Sequence, residues 1–106
     1  MVIIQGVFRV QPADRDAFLA QSEEGMRASR AERGCLEYVF AADPVEPGRV
    51  VLSERWETMD DLNEHLSGLS RRREEAAPGG DSPGRTPVAP LSREISIYEA
   101  TLVRQM

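Results

Sequence analysis

The stretch that decides the fold runs from Gly34 to Glu57 and reads GCLEYVFAADPVEPGRVVLSERWE. Its two ends, Cys35–Ala42 and Arg49–Glu57, are rich in β-branched and aromatic residues, which is typical of strands. Between them, DPVEPG at 43–48 is dense in turn residues and too short for a helix. Two strands joined by so short a connection form an antiparallel hairpin.

The alternation of side chains assigns the hairpin residues to the two faces of a sheet, because successive residues of a strand point in opposite directions. On the first strand it predicts Leu36 and Tyr38 on one face and Cys35 on the other. On the second strand it predicts Glu54 and Trp56 on a common face.

The segments on either side of the hairpin complete the pattern. Val2–Val10 predicts a strand with apolar residues on both faces, and apolar residues at helical spacing predict a helix that ends at about residue 32. Thr58 begins a second helix, and a final strand is predicted over Glu94–Val103. The order β-α-β-β-α-β is that of a ferredoxin-like α+β fold, with a four-stranded antiparallel sheet and both helices on one face.

One segment does not fit a helix or a strand. Ala77–Pro90 contains four of the seven prolines and three of the eight glycines, and we expect an irregular insertion there within a single domain over residues 1–106. The sheet face opposite the helices also carries apolar residues from every strand. We therefore expect an identical chain to cover that face in a homodimer.

Charge and cysteine content narrow the classes of function and location. A net charge of −5 disfavours nucleic-acid binding. The run Arg71–Arg73 is either a solvated helix face or a clamp for an anionic substrate. Cys35 is the only cysteine, which fits a reducing compartment, and Met1–Gln5 lacks the features of a signal peptide. We expect a cytoplasmic protein with no membrane partner.

Four segments taken in order carry a family resemblance. They are Gly34–Tyr38, Asp43-Pro44, Val51–Trp56 and Leu62–Leu66. Together they resemble the antibiotic biosynthesis monooxygenase family, over about residues 1–70 and again at the final strand. The resemblance implies a dimeric α+β barrel with a pocket between sheet and helices. It also implies oxidation of a phenolic or quinol-type small molecule by O2 without a metal or organic cofactor.

Candidate site residues follow from the predicted faces and the resemblance. His65 is the only histidine, its ordinary pKa near 6.5 suits a general base, and it lies on the inward face of the second helix. Glu54 is the second catalytic candidate, because a buried carboxylate needs a partner and could orient His65 or pair with an arginine. Trp56, Tyr38 and Phe40 are candidate substrate contacts, although each aromatic residue is equally suited to a plain core.

No cofactor or metal site is expected from the residues. Cys35 and His65 are the only strong soft or imidazole ligands, too few for a structural zinc site.

Two alternative functions remain open at the level of sequence. The same residues could form a non-catalytic dimeric module that binds a small apolar molecule. Haem degradation is the second alternative, because haem-degrading relatives carry a tryptophan on the third strand and a haem-ligating histidine on the second helix, roles that Trp56 and His65 could fill. Those relatives also carry an asparagine on the first strand, where this chain has Gln5-Gly6.

Overall fold

The computed structural model describes residues 1–75 and 87–106, and for 72–75 it describes the backbone alone. The described elements are, in order, β1 (Val2–Arg9), α1 (Arg15–Arg30), β2 (Cys35–Ala42), β3 (Arg49–Trp56), α2 (Met59–Glu75) and β4 (Ser92–Glu99). A single 3₁₀ turn at Pro12–Asp14 leads into α1. The predicted ferredoxin-like order is confirmed.

The strands of the described residues form one antiparallel sheet in the order β2-β3-β1-β4. Packing of α1 against β2 and of α2 against β3 builds the core on one face. Its buried apolar side chains are Val2, Ile4, Phe8, Val10, Phe18, Tyr38, Val50, Leu52, Trp56 and Leu62. Burial of this face is the main stabilising contribution to the fold.

The predicted faces are wrong at the start of β2. Cys35 pairs with Trp56 and Glu37 with Arg55, so the register shifts between them and Leu36 is an extra, bulged residue. A bulge inverts the alternation on one side of it. Cys35 therefore packs against the core on the helix side, whereas Leu36 is 46% exposed.

The last strand is also shorter than predicted. It ends at Glu99, which lies opposite Val2, and the Ala100 N–H donates to the Met1 carbonyl at 2.8 Å. The strand pairing between β1 and β4 therefore ends at Val2 and Glu99. The following residues have no regular structure, and Val103 is 95% exposed.

The predicted irregular insertion Ala77–Pro90 falls mostly on residues 76–86, which lie outside the described residues. Residues 87–90 have no regular structure. There, the Val88 backbone exchanges two 2.8 Å hydrogen bonds with the side-chain amide of Gln21 on α1. In the described parts of the chain, neither helix is both long enough and apolar enough to cross a membrane.

Candidate functional site

Three of the predicted site residues meet beneath α2. His65 is 2% exposed, and its ring centroid lies 4.7 Å from that of Trp56 on β3 and 5.4 Å from that of Tyr38 on β2. The sheet therefore supplies aromatic walls on two sides of the imidazole. Such an environment excludes water and strengthens electrostatic interactions within it.

The start of α2 sets the direction in which His65 points. The Thr58 hydroxyl oxygen accepts a 3.1 Å hydrogen bond from the Asp61 N–H, which confirms Thr58 as the residue that caps the helix. From that start, Leu62 and His65 lie three residues apart on the buried face.

Phe40 contacts Tyr38, which in turn contacts the imidazole of His65. The ring centroid of Phe40 is 6.0 Å from Tyr38 and packs at 5.4 Å from Phe8 and 6.2 Å from Phe18. Phe40 belongs to an aromatic cluster with residues from α1, β1 and β2. The cluster packs against Tyr38 through Phe40.

Glu54 contacts Trp56 through a hydrogen bond. The indole Nε1–H donates to its carboxylate at 3.0 Å, and the residue is only 5% exposed. Burial raises the pKa of Glu54 above its ordinary value of 4.5; the Trp56 hydrogen bond and the nearby His65 lower it, and Glu32 raises it further. Glu54 thus fixes the indole and acts on His65 through its charge.

The carboxylate that touches His65 is that of Glu32. Its Oε2 lies 2.7 Å from His65 Nδ1, and the Glu32 side chain is 28% exposed. Sequence reasoning missed this residue because 33 positions separate the pair and no local spacing rule connects them. The available signal was topological, since the end of α1 and the start of α2 lie over adjacent strands of one sheet.

The turn after α1 brings Glu32 to α2. Gly34 has φ +78°, and a Cβ at this position would overlap the Asp61 carboxylate. The Gly34 carbonyl also accepts a 2.8 Å hydrogen bond from the Glu57 N–H. Only glycine allows both this backbone conformation and this close approach.

A groove of about 950 Å³ borders the buried cluster on the side of this turn. Glu32 and His65 line it, together with the outer residues Arg33, Glu57, Thr58, Asp60, Asp61, Glu64, Gly68 and Arg71. The groove is therefore a route by which a small molecule could approach the imidazole.

Cys35 is a poor nucleophile in this setting. Burial raises the pKa of its thiol, and the carboxylates of Glu32 and Glu54 raise it further. A raised pKa disfavours the reactive thiolate at neutral pH. Among the side chains that the structure describes, those of residues 1–71 and 87–106, no three histidine, cysteine or acidic groups are placed to hold a metal ion.

Comparison with known proteins identifies relatives of the whole site-bearing region. The family model described as antibiotic biosynthesis monooxygenase matches residues 1–73. An uncharacterised protein of Synechocystis sp. is 30% identical over 65 residues, which are 61% of this chain and 44% of that protein. YcnE of Bacillus subtilis, provisionally assigned as a monooxygenase, is 30% identical over 56 residues, 53% of this chain and 59% of that protein. The matches span about half the length of these curated relatives.

Solved structures share the fold at lower identity. A Deinococcus radiodurans protein provisionally assigned as an antibiotic biosynthesis monooxygenase has a TM-score of 0.71 at 22% identity. The match covers 100% of this chain and 98% of the Deinococcus chain. The haem degrader MhuD of Mycobacterium tuberculosis, with two haems bound in its active site, has a TM-score of 0.71 at 14% identity. The match covers 99% of this chain and 100% of the MhuD chain. Because the family model covers well over half of the sequence, this chain belongs to the antibiotic biosynthesis monooxygenase family.

Proposed function

We propose that this protein is a cofactor-independent monooxygenase that oxidises a phenolic or quinol-type small molecule with O2, and that His65 is its general base. One observation carries the proposal. The only imidazole of the chain is 2% exposed, lies against two aromatic rings and has a carboxylate 2.7 Å from Nδ1. A base that is sheltered from water yet paired on one side is suited to proton abstraction.

The reaction begins with transfer of the phenolic proton to His65. The resulting phenolate is electron-rich and passes an electron to O2. For a phenol that becomes a quinone, a ring C–H is replaced by C=O, one oxygen atom enters the product and the other leaves as water. The substrate itself supplies the four electrons, so no external reductant is required.

The surrounding residues have distinct roles in this proposal. Trp56 and Tyr38, whose rings already flank His65, contact the aromatic substrate, and Phe40 supports the far side of Tyr38. Glu54 holds the Trp56 indole in place by accepting its N–H. Proton abstraction by a positioned group contributes roughly 10²–10⁴-fold in rate.

The experiment that tests this function separates it from simple binding. Oxygen uptake is measured with a panel of phenols and quinols in the presence of a chelator, and ¹⁸O2 is used to follow the label. We expect uptake with at least one compound and one labelled atom in the product. Compounds that raise the melting temperature without oxygen uptake would instead show a non-catalytic binding module.

The first strand does not support the haem-degrading alternative. Gln5 is exposed, on the sheet face away from His65. A Cβ at Gly6 would lie 3.2 Å from Ile95 and 3.3 Å from Leu52, so a carboxamide at that position would force its neighbours apart. We therefore expect haem titration to give no Soret band of a ligated haem, and such a band would favour haem degradation.

The proposal includes a cytoplasmic homodimer in which the open sheet face is covered by a second copy. Apolar side chains from every strand lie on that face, namely Ile3, Val7, Val39, Ala41, Val51 and Tyr98. A polar row formed by Ser53, Gln5 and Ser96 crosses between them, so the face is less uniformly apolar than predicted. An apolar patch of this kind is typical of an interface.

A further inference from the structure

We infer that Glu32 is the positioning residue of His65: its carboxylate accepts the Nδ1–H proton and holds the neutral imidazole in the tautomer whose Nε2 is the basic atom. The catalytic meaning of this inference rests on the proposed function. The assignment of the tautomer does not rest on the proposed function, because the tautomer is a property of the protein without substrate.

The first step is the pairing of donors with acceptors around the imidazole. Two carboxylates belong to the cluster, and Glu54 already accepts the indole N–H of Trp56. The Glu32 oxygen lies 2.7 Å from Nδ1, within the range of charge-assisted hydrogen bonds. A neutral imidazole that donates from Nδ1 has its lone pair on Nε2, because one ring nitrogen donates and the other accepts.

The second step is that the backbone holds Glu32 firmly. Its N–H donates to the Ser29 carbonyl at 3.1 Å, and its carbonyl accepts from the Cys35 N–H at 3.2 Å. Gly34, in between, packs against Asp61 at the start of α2. The carboxylate is therefore presented to His65 by a fixed turn, and little ordering is required when substrate binds.

The third step concerns charge during the reaction. When His65 takes a proton, an imidazolium forms at a site that is 2% exposed. A buried charge is costly unless it is paired and hydrogen-bonded. Glu32 supplies both compensations from the Nδ1 side.

The tautomer is measured directly by ¹⁵N NMR of the imidazole, at a pH of about 8.5, roughly two units above the ordinary histidine pKa. The signals are unambiguous because the chain contains one histidine. We expect the Nδ1–H form in the unmodified protein. Glu32→Ala removes the acceptor and should convert much of the population to the Nε2–H form, whereas Glu32→Gln keeps a carbonyl oxygen and should retain the Nδ1–H form.

Turnover of a substrate found by oxygen uptake should follow the tautomer. We expect kcat to fall about 100-fold in Glu32→Ala with KM little changed, and to fall less in Glu32→Gln. Glu24→Gln is the matched control, because it removes the same charge from an exposed residue of α1 that does not line the groove. It should leave both the tautomer and kcat unchanged.

The results that overturn the inference are distinct from those that overturn the proposed function. An Nε2–H ring in the unmodified protein, or an unchanged tautomer in folded Glu32→Ala, contradicts the role of Glu32. If Glu32→Ala does not fold, full turnover in Glu32→Gln is the contradicting result. Absence of oxygen uptake with every compound contradicts the proposed function, and the NMR result still decides the position of the proton.

Discussion

Glu54 is a residue of the candidate site whose buried carboxyl makes the stability of the fold depend on pH. Its carboxyl is 5% exposed, and burial raises its pKa above 4.5. The folded protein therefore holds the Glu54 proton more tightly than the unfolded chain. At a pH below the pKa that Glu54 has in the unfolded chain, the carboxyl is protonated in both states and does not change the free energy of unfolding. As the pH rises past that pKa, ionisation favours the unfolded state and the free energy of unfolding falls.

We predict that Glu54→Gln is more stable than the unmodified protein at neutral pH, by about 1 kcal/mol. Glutamine keeps an oxygen to accept the Trp56 N–H but carries no charge. The gain should vanish below a pH of about 4, where glutamate is itself neutral. Urea denaturation at both pH values measures it. Lower stability of Glu54→Gln at neutral pH would show that the interactions of the charged carboxylate outweigh its burial.

The residues of the site were predictable from sequence in unequal measure. Trp56 and His65 follow from strand alternation and helical period, which are local properties. The Glu32 contact depends on how the α1–β2 turn packs against α2, and that is a tertiary property. The proposed roles of His65, Glu54, Trp56, Tyr38 and Phe40 stay predictions until activity is measured.

At the scale of elements, the α1–β2 turn is the feature on which the geometry of the site depends. Gly34 has φ +78°, and a side chain there would meet Asp61. A non-glycine residue in this region costs about 1–3 kcal/mol before any clash is counted. The same turn carries Glu32, so its displacement would also move the carboxylate from His65.

We predict that Gly34→Ala lowers the free energy of unfolding by more than about 2 kcal/mol. Adding Asp61→Ala should recover part of that loss, because it relieves the contact and leaves the backbone strain. Chemical denaturation measures both. Gly25→Ala is the matched control: Gly25 lies in α1 with nothing within 4 Å of an added Cβ, so alanine should stabilise the protein by about 0.5–1 kcal/mol. Equal effects at the two positions would contradict the role of the turn.

Element type and order were predictable, whereas two details were not. The bulge at Leu36 breaks an alternation that looks regular in the sequence, because pairing with β3 rather than local pattern sets the register. The last strand ends at Glu99, opposite the first residue of β1, although the apolar pattern continues to Val103. Both differences arise from neighbours that are distant in sequence.

In the described part of the molecule, α1 and α2 leave one face of the sheet open. Val51 lies in the middle of that face, between Val7 and Ala41 on the neighbouring strands. A second copy that packs there would bury a specific interface of more than about 1,200 Å² in total. A two-fold axis would also bring each substitution on this face close to its symmetry mate.

We predict that Val51→Glu converts the dimer to a folded monomer, because an unpaired carboxylate is costly in an apolar interface. Sedimentation at micromolar concentration measures the mass, and circular dichroism confirms the fold. Val45→Glu, at an exposed position of the β2–β3 turn, is the control and should remain dimeric. A monomeric unmodified protein would remove the basis for this interface.

The base assignment is tested most directly by the ratio of oxygen-uptake rates between the unmodified protein and His65→Ala, measured with the same phenol or quinol. We predict a folded His65→Ala dimer whose rate is lower by about 10²–10⁴-fold. A folded His65→Ala dimer that retains full turnover would contradict the assignment of His65 as the base.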